Sequence, residues 1–162
     1  MFHIVINDCQ NVQMQGVRVS ASGNSPNTDG IHVQMSSGVT ILNSKIATGD
    51  DCVSIGPGTS NLWIESVACG PGHGISSSRQ QYLSLYSKFK VSGVQISDVT
   101  YEDIHGTSAT EVAVKFDCSP KHPCSEIKLK DVKLTYQNQA AESSCSHADG
   151  TTEGVVQPTS CL

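Results

Sequence analysis

Asn27-Thr28-Asp29-Gly30, Gly49-Asp50-Asp51-Cys52 and Gly72-His73-Gly74 are three short cassettes in series within residues 27–74. Each leads into an alternating or apolar run: Ile31-His32-Val33, Cys52-Val53-Ser54-Ile55 and Ile75-Ser76. Asp29, Asp51 and His73 follow one another at steps of 22 residues, and Ile31, Val53 and Ile75 keep the same step. A fixed period of that size is the mark of stacked structural repeats. If each period is one coil of a solenoid, Asp29, Asp51 and His73 occupy one column with Asp50 beside it. That column is the candidate active site.

A second pattern surrounds the first. Asn11-Val12-Gln13-Met14, Gly38-Val39-Thr40-Ile41, Asn61-Leu62-Trp63-Ile64, Gly93-Val94-Gln95-Ile96 and Glu126-Ile127-Lys128-Leu129 share one template and run on to a further apolar residue. Alternation with period two means strands that bury one face. The Gly, Asn and Ser that open or interrupt the runs supply turns. Two short strands per coil, with every coil alike, make an all-β parallel β-helix. A sandwich also alternates, but it gives no reason for chemical groups to recur at constant spacing. Residues 77–90 lack a turn glycine and fit the template poorly, so an irregular or helical segment is expected there. The pattern resumes at Val91 and runs through Val112-Ala113-Val114-Lys115-Phe116, followed by a loop holding Pro120 and Pro123. Residues 137–154 are polar and loop-like, a C-terminal cap on a single domain spanning residues 1–162.

Composition narrows the function. Charged residues are 15% and aromatics 5% of the chain, while Gly, Ser, Thr and Val are plentiful, which favours strands and turns over helical bundles. The formal charge of −5 comes without any basic run, which argues against nucleic-acid or anionic-membrane partners. Net charge does not exclude an anionic ligand, since a local cationic patch can hold one. No apolar run is long enough to span a bilayer. Met1-Phe2-His3 enters a strand-like pattern at once, so no signal peptide is expected and the chain is read as beginning inside a fold.

Seven cysteines occur, and none makes a CxxC zinc pattern, so oxidised pairs in a secreted protein are the better reading. Six fall into sequence-local couples, Cys52 with Cys69, Cys118 with Cys124 and Cys145 with Cys161, although six cysteines allow 15 pairings. Cys9 is left over as a free thiol.

Stacked strands lie about 4.8 Å apart, so the column would crowd three carboxylates and an imidazole. Like charges at that range push one carboxyl pKa up and leave another ionised. One group then donates a proton while another accepts one, as glycosidic cleavage requires. An inverting pair separated by about 6.5–9.5 Å admits a water. Taken singly, an Asp before Gly is more often a turn residue, and Asp-Asp a solvated surface pair. The constant spacing is what lifts the three above that reading. Clustered carboxylates also suit calcium, though His73 fits that ion poorly. His3, His32, His105, His122 and His147 have no comparable setting and are read as structural or solvated.

Ser25-Pro26-Asn27-Thr28-Asp29-Gly30-Ile31-His32, Gly49-Asp50-Asp51-Cys52 and Cys69-Gly70-Pro71-Gly72-His73-Gly74-Ile75-Ser76 together resemble the signature motifs of plant polygalacturonases, glycoside hydrolase family 28. The resemblance covers residues 1–76 and 91–162, including Thr110 to Cys118. It implies a right-handed, pectin lyase-like parallel β-helix and secretion to the cell wall. It implies a monomer that hydrolyses α-1,4-galacturonan with inversion, taking polygalacturonate or pectin as partner and needing neither cofactor nor metal. By motif, Asp50 resembles the general acid, and Asp29 and Asp51 the pair that activates water. Asn27 resembles a substrate-binding residue, and His73 one that supports the acid and contacts sugar. The family's Arg-Ile-Lys motif, which grips the galacturonate carboxylate, is absent; Lys88-Phe89-Lys90 and Arg79 are only echoes of it. The chain therefore resembles a C-terminal portion with an internal deletion, a truncated solenoid. Two alternatives follow: an impaired homologue that at most binds pectin, and a calcium-dependent pectate lyase on the same fold.

Overall fold

The computed structural model describes residues 1–78 and 95–162, and these form strands and no helix. In chain order the strands are β1 (Phe2–Asn7), β2 (Gln13–Gln15), β3 (Arg18–Ser20), β4 (Asp29–Gln34), β5 (Ser37–Ala47), β6 (Val53–Ile55) and β7 (Ser60–Cys69). They continue as β8 (Ile75–Ser78), β9 (Ser97–Ser108), β10 (Val112–Asp117), β11 (Cys124–Tyr136), β12 (Gln139–Ala140), β13 (Glu142–Ser146) and β14 (Ala148–Gln157). One sheet runs β1-β4-β6-β8-β10-β13 and the other β2-β5-β7-β9-β11, with β3 beside β5 and β14 beside β11. All these pairings are parallel; only the short β12 folds back antiparallel on β11. The chain is an all-β parallel β-helix.

The register explains the sequence period. Ile31, Val53 and Ile75 are successive ladder partners, with Ile4 before them and Val114 after. In the second sheet Met14, Ile41, Ile64, Tyr101 and Leu129 form the matching column. Stacking like on like lets each coil bury its apolar face on its neighbours, and a one-residue slip would turn that face outward.

Within β5 the buried residues Ile41 and Ile46 are an odd number apart, which strict alternation forbids. The left-handed residue Asn43 between them resolves this by shifting the inward phase by one. Ser66, Asp103 and Asp131 take the same conformation at the matching place in β7, β9 and β11, with φ between 49° and 55°. Short polar side chains tolerate that region best. A second left-handed column, Asn11, Gly38, Asn61, Asp98 and Glu126, opens the strand runs of this sheet.

Three local readings change. The fourth copy of the strand template is Asp98-Val99-Thr100-Tyr101, not Gly93-Val94-Gln95-Ile96. Val99 pairs with Leu62 and Tyr101 with Ile64. Both segments alternate, and only hydrogen bonding to β7 chooses between them; residues 93 and 94 lie outside the described residues. The 137–154 segment is largely strand. β13 and β14 add a thin further coil whose polar, exposed residues are held by backbone bonds to β10 and β11 rather than by apolar burial. The segment 77–90 begins inside β8, which runs to Ser78; residues 79–90, with Arg79, Lys88 and Lys90, lie outside the described residues. On either side of that segment the stacking is continuous: β8 pairs with both β6 and β10, and β7 pairs directly with β9.

Cys52 is bonded to Cys69, Cys118 to Cys124 and Cys145 to Cys161, while Cys9 is a half-buried free thiol. The first bridge joins the turn carrying Asp50 and Asp51 to the end of β7, where the turn carrying His73 begins. Among the described residues no helix is long and apolar enough to cross a membrane.

Candidate active site

The three cassettes are successive rungs on one edge of the first sheet. Gly30 N–H donates to Asp51 O at 2.8 Å, Cys52 N–H to Gly74 O at 2.7 Å and His73 N–H to Asp50 O at 2.8 Å. These bonds carry the parallel ladder from the strands into the turns, so the register that stacks Ile31, Val53 and Ile75 also stacks Asp29, Asp51 and His73. Two glycines make the close approach possible. A Cβ on Gly49 would lie 1.9 Å from Ser25 O, and one on Gly74, at φ +91°, would lie 2.0 Å from Ala113 O.

Each carboxylate has its own donor. Ser54 Oγ–H donates to Asp29 Oδ2 at 2.5 Å, and Ser76 Oγ–H donates likewise to Asp51 Oδ2. His73 Nδ1–H donates to Asp50 Oδ1 at 2.9 Å, and the same oxygen accepts the Asp51 backbone N–H at 3.0 Å. His32 Nδ1 lies 2.8 Å from Ser54 Oγ, extending the Asp29 network by one residue. Phe2 stacks on the His32 ring with centroids 4.3 Å apart.

Burial and neighbouring charge act on Asp51 and Asp29. Burial pushes the Asp51 carboxyl up to about 7, and the charges of Asp29 and Asp50 add to the rise while the Ser76 hydrogen bond opposes it. Asp29 is raised for the same first reason, burial, with Ser54 opposing and Asp50 reinforcing. The Asp50 side chain is 20% exposed, beside a His73 side chain that is 39% exposed. Burial lowers His32 below its ordinary value, with the Gln34 hydrogen bond and the Asp29 charge opposing.

Donor atoms of Asp50, Asp51 and His73 all lie within 4.8 Å of one another. The set suits calcium poorly: that ion takes six to eight oxygens, whereas one of these three atoms is nitrogen and Asp50 already binds it. The arrangement suits proton transfer better, with one acid held by an imidazole and two partly buried carboxyls held by serine hydroxyls.

The structure brings Asp29, Asp50, Asp51 and His73 together. Asn27 stands exposed at the turn before β4, in the left-handed region at φ 52°, and its side chain has no hydrogen-bond partner among the described residues. The Asp50 and Asp51 oxygens are closer than the separation expected of an inverting pair. The sequence reading missed Ser54, Ser76 and His32. A signal was present: Asp29 to Ser54 and Asp51 to Ser76 are both steps of 25 residues. His32, Ser54 and Ser76 are themselves register partners.

The family model for Glycosyl hydrolases family 28 matches residues 1–82 and 78–161. A polygalacturonase of Prunus persica is 65% identical over 224 aligned positions, covering 100% of this chain and 57% of the relative. An exopolygalacturonase of Platanus acerifolia is 34% identical, covering 98% of this chain and 59% of the relative. The chain thus spans little more than half the length of these relatives. With 162 residues set against 224 positions, at least 62 positions of the peach alignment have no residue in this chain. Among solved structures, a polygalacturonase from Erwinia carotovora ssp. carotovora superposes with a TM-score of 0.52 at 17% identity, over 93% of this chain and 54% of its own; the likeness is one of fold.

Proposed function

The chain belongs to glycosyl hydrolase family 28, and on that footing we propose that its cassette column hydrolyses α-1,4-galacturonosyl linkages of polygalacturonan, with Asp50 as general acid. One observation carries the reading: a single strand register sets Asp29 and Asp51 in one column beside a carboxyl, Asp50, that is hydrogen-bonded to His73.

In this mechanism Asp50 gives its proton to the glycosidic oxygen as the C–O bond breaks. A water attacks the anomeric carbon from the opposite face and loses a proton to the Asp29–Asp51 pair. The charge of Asp29 disfavours a second charge on Asp51, so the pair keeps one ionised carboxyl to accept it. His73 holds Asp50 in place and lies open enough to meet sugar. Asn27 contacts substrate from the rim.

A water placed at the Asp29–Asp51 side, rather than between Asp50 and Asp51, accommodates inversion despite the short Asp50–Asp51 approach. The first product should then be the β-anomer, read by proton NMR during the first minutes of reaction; an α-anomer would exclude this geometry. The three disulfides suit an oxidising, extracellular setting such as the cell wall, where we place a monomeric enzyme.

The direct test is a reducing-end assay on polygalacturonate beside the Asp50→Asn variant. Background rates in both would leave the impaired, pectin-binding homologue as the reading. That alternative draws support from the 62 or more positions missing against the peach relative. A second assignment draws on the raised Asp51 carboxyl, which holds a proton where a general acid needs one. An aryl galacturonide with an acidic leaving group decides between them, because it needs no protonation. Asp50→Asn should keep its rate on that substrate while Asp51→Asn loses it, and the reverse would make Asp51 the acid.

A further inference from the structure

Outside the carboxylate column the first sheet has a polar outer row: His32, Ser54, Ser76, Lys115 and Ser144 are successive ladder partners. Lys115 is 39 residues beyond Ser76 in the chain, yet the two are directly paired, because β10 stacks on β8. Its neighbours Val114 and Phe116 are buried at 1% exposure each, so Lys115 projects from the outer face while they fill the core. Among the described strands of this sheet it is the one Lys or Arg. It is exposed and joins no ion pair or hydrogen bond among the described residues, not even with Asp117, two residues on along the same face.

The hydroxyl of Ser76 holds Asp51, so an ammonium unpaired among the described residues, on a flexible four-carbon stem, begins one strand, about 4.8 Å, from a residue that touches the Asp51 carboxyl. The turn below is packed closely: Ala113, two residues before Lys115, lies against Gly74. This position continues the His32–Ser54–Ser76 row, beside the carboxylate column, by one coil, where the next sugar of a chain lying along the stack would rest.

We propose that Lys115 binds the carboxylate of the uronate next to the scissile bond and supplies a cationic contact to this cleft. The inference rests on the substrate being a polyuronide. It takes the chemistry of an ammonium and a carboxylate, which gain most when one is otherwise unpaired. Neutral, methyl-esterified sugar offers no such partner, so Lys115 also sets a preference for de-esterified chain.

Binding of a galacturonate tetramer and of its methyl ester to the full chain carrying Asp50→Asn, measured by calorimetry at low salt, tests this. Lys115→Gln should weaken the acid tetramer about tenfold, the loss of one charge-assisted contact, and leave the ester unchanged. Lys115→Arg should restore most of the affinity. An unchanged acid tetramer, equal losses on both ligands, or no binding of the acid tetramer by the parent would overturn the proposal. Hydrolysis by the chain with Asp50 intact is scored separately. Binding that depends on Lys115 without hydrolysis would sink the catalytic reading and leave this one standing. Hydrolysis whose KM ignores Lys115→Gln would do the opposite.

Discussion

Asp51→Asn should make this protein more stable at neutral pH while abolishing its chemistry. The Asp51 carboxyl is surrounded, and burial holds it at about 7 against an ordinary value of 3.8. A raised carboxyl pKa means the folded state binds a proton the unfolded state has released. Stability is therefore undiminished below the unfolded value and falls as pH rises from about 3.8 to about 7. A tenfold change in proton affinity is worth about 1.4 kcal/mol, so holding the charged form in this setting costs roughly 4 kcal/mol above pH 7. Asparagine has the same shape, can still accept the Ser76 hydroxyl bond and never ionises. Urea unfolding followed by far-UV circular dichroism between about pH 3.5 and 8 reads the difference. The two proteins should coincide at the acid end, diverge between the two pKa values in favour of the variant, and then run parallel. A gap that is flat with pH, or a less stable variant at neutral pH, would refute the electrostatic account. The expected outcome is the usual exchange of stability for function, here at the carboxyl proposed to activate water.

Other expectations follow from single contacts. Ser76→Ala removes the hydrogen bond that favours ionised Asp51, so the acid limb of the kcat/KM profile on polygalacturonate should move to higher pH; an unmoved limb would separate Asp51 from the base role. Tyr101 fills the core beside Phe116, yet its hydroxyl is buried without a partner among the described residues, so Tyr101→Phe should leave stability unchanged or raise it by about 1 kcal/mol in chemical denaturation; a clear loss would mean the hydroxyl has a partner. Replacing Cys52 and Cys69 by serine reopens a loop of 17 residues and should cost roughly 3 kcal/mol, with a matching fall in Tm. His73→Ala should lower kcat about 10–100-fold through misplacement of Asp50, and a change confined to KM would restrict His73 to sugar contact.

The coil period and the identity of the column were legible because a solenoid must present the same face at every turn. Ile31, Val53 and Ile75 repeat for packing, and the turns beside them inherit the spacing. The fourth strand template was misread by five residues, since Val94-Gln95-Ile96 and Val99-Thr100-Tyr101 alternate equally well. The last coil looked like loop because its residues are polar, while its strands are held by backbone hydrogen bonds that carry no side-chain signature. His32 looked structural, and in position it is, but it stands on Ser54 and through it on Asp29.

From the chain alone came the all-β solenoid, the Asp29–Asp51–His73 column with Asp50 beside it, and the cysteine couples, all of which depend on distances along the sequence. Only the folded molecule decided which hydroxyl serves which carboxylate, that burial rather than charge crowding is the first cause of the raised Asp51, and that Lys115 stands beside Ser76. Those are through-space facts. They arise when one coil is laid on another, and hydrogen-bond register between strands, rather than separation along the chain, chooses the neighbours.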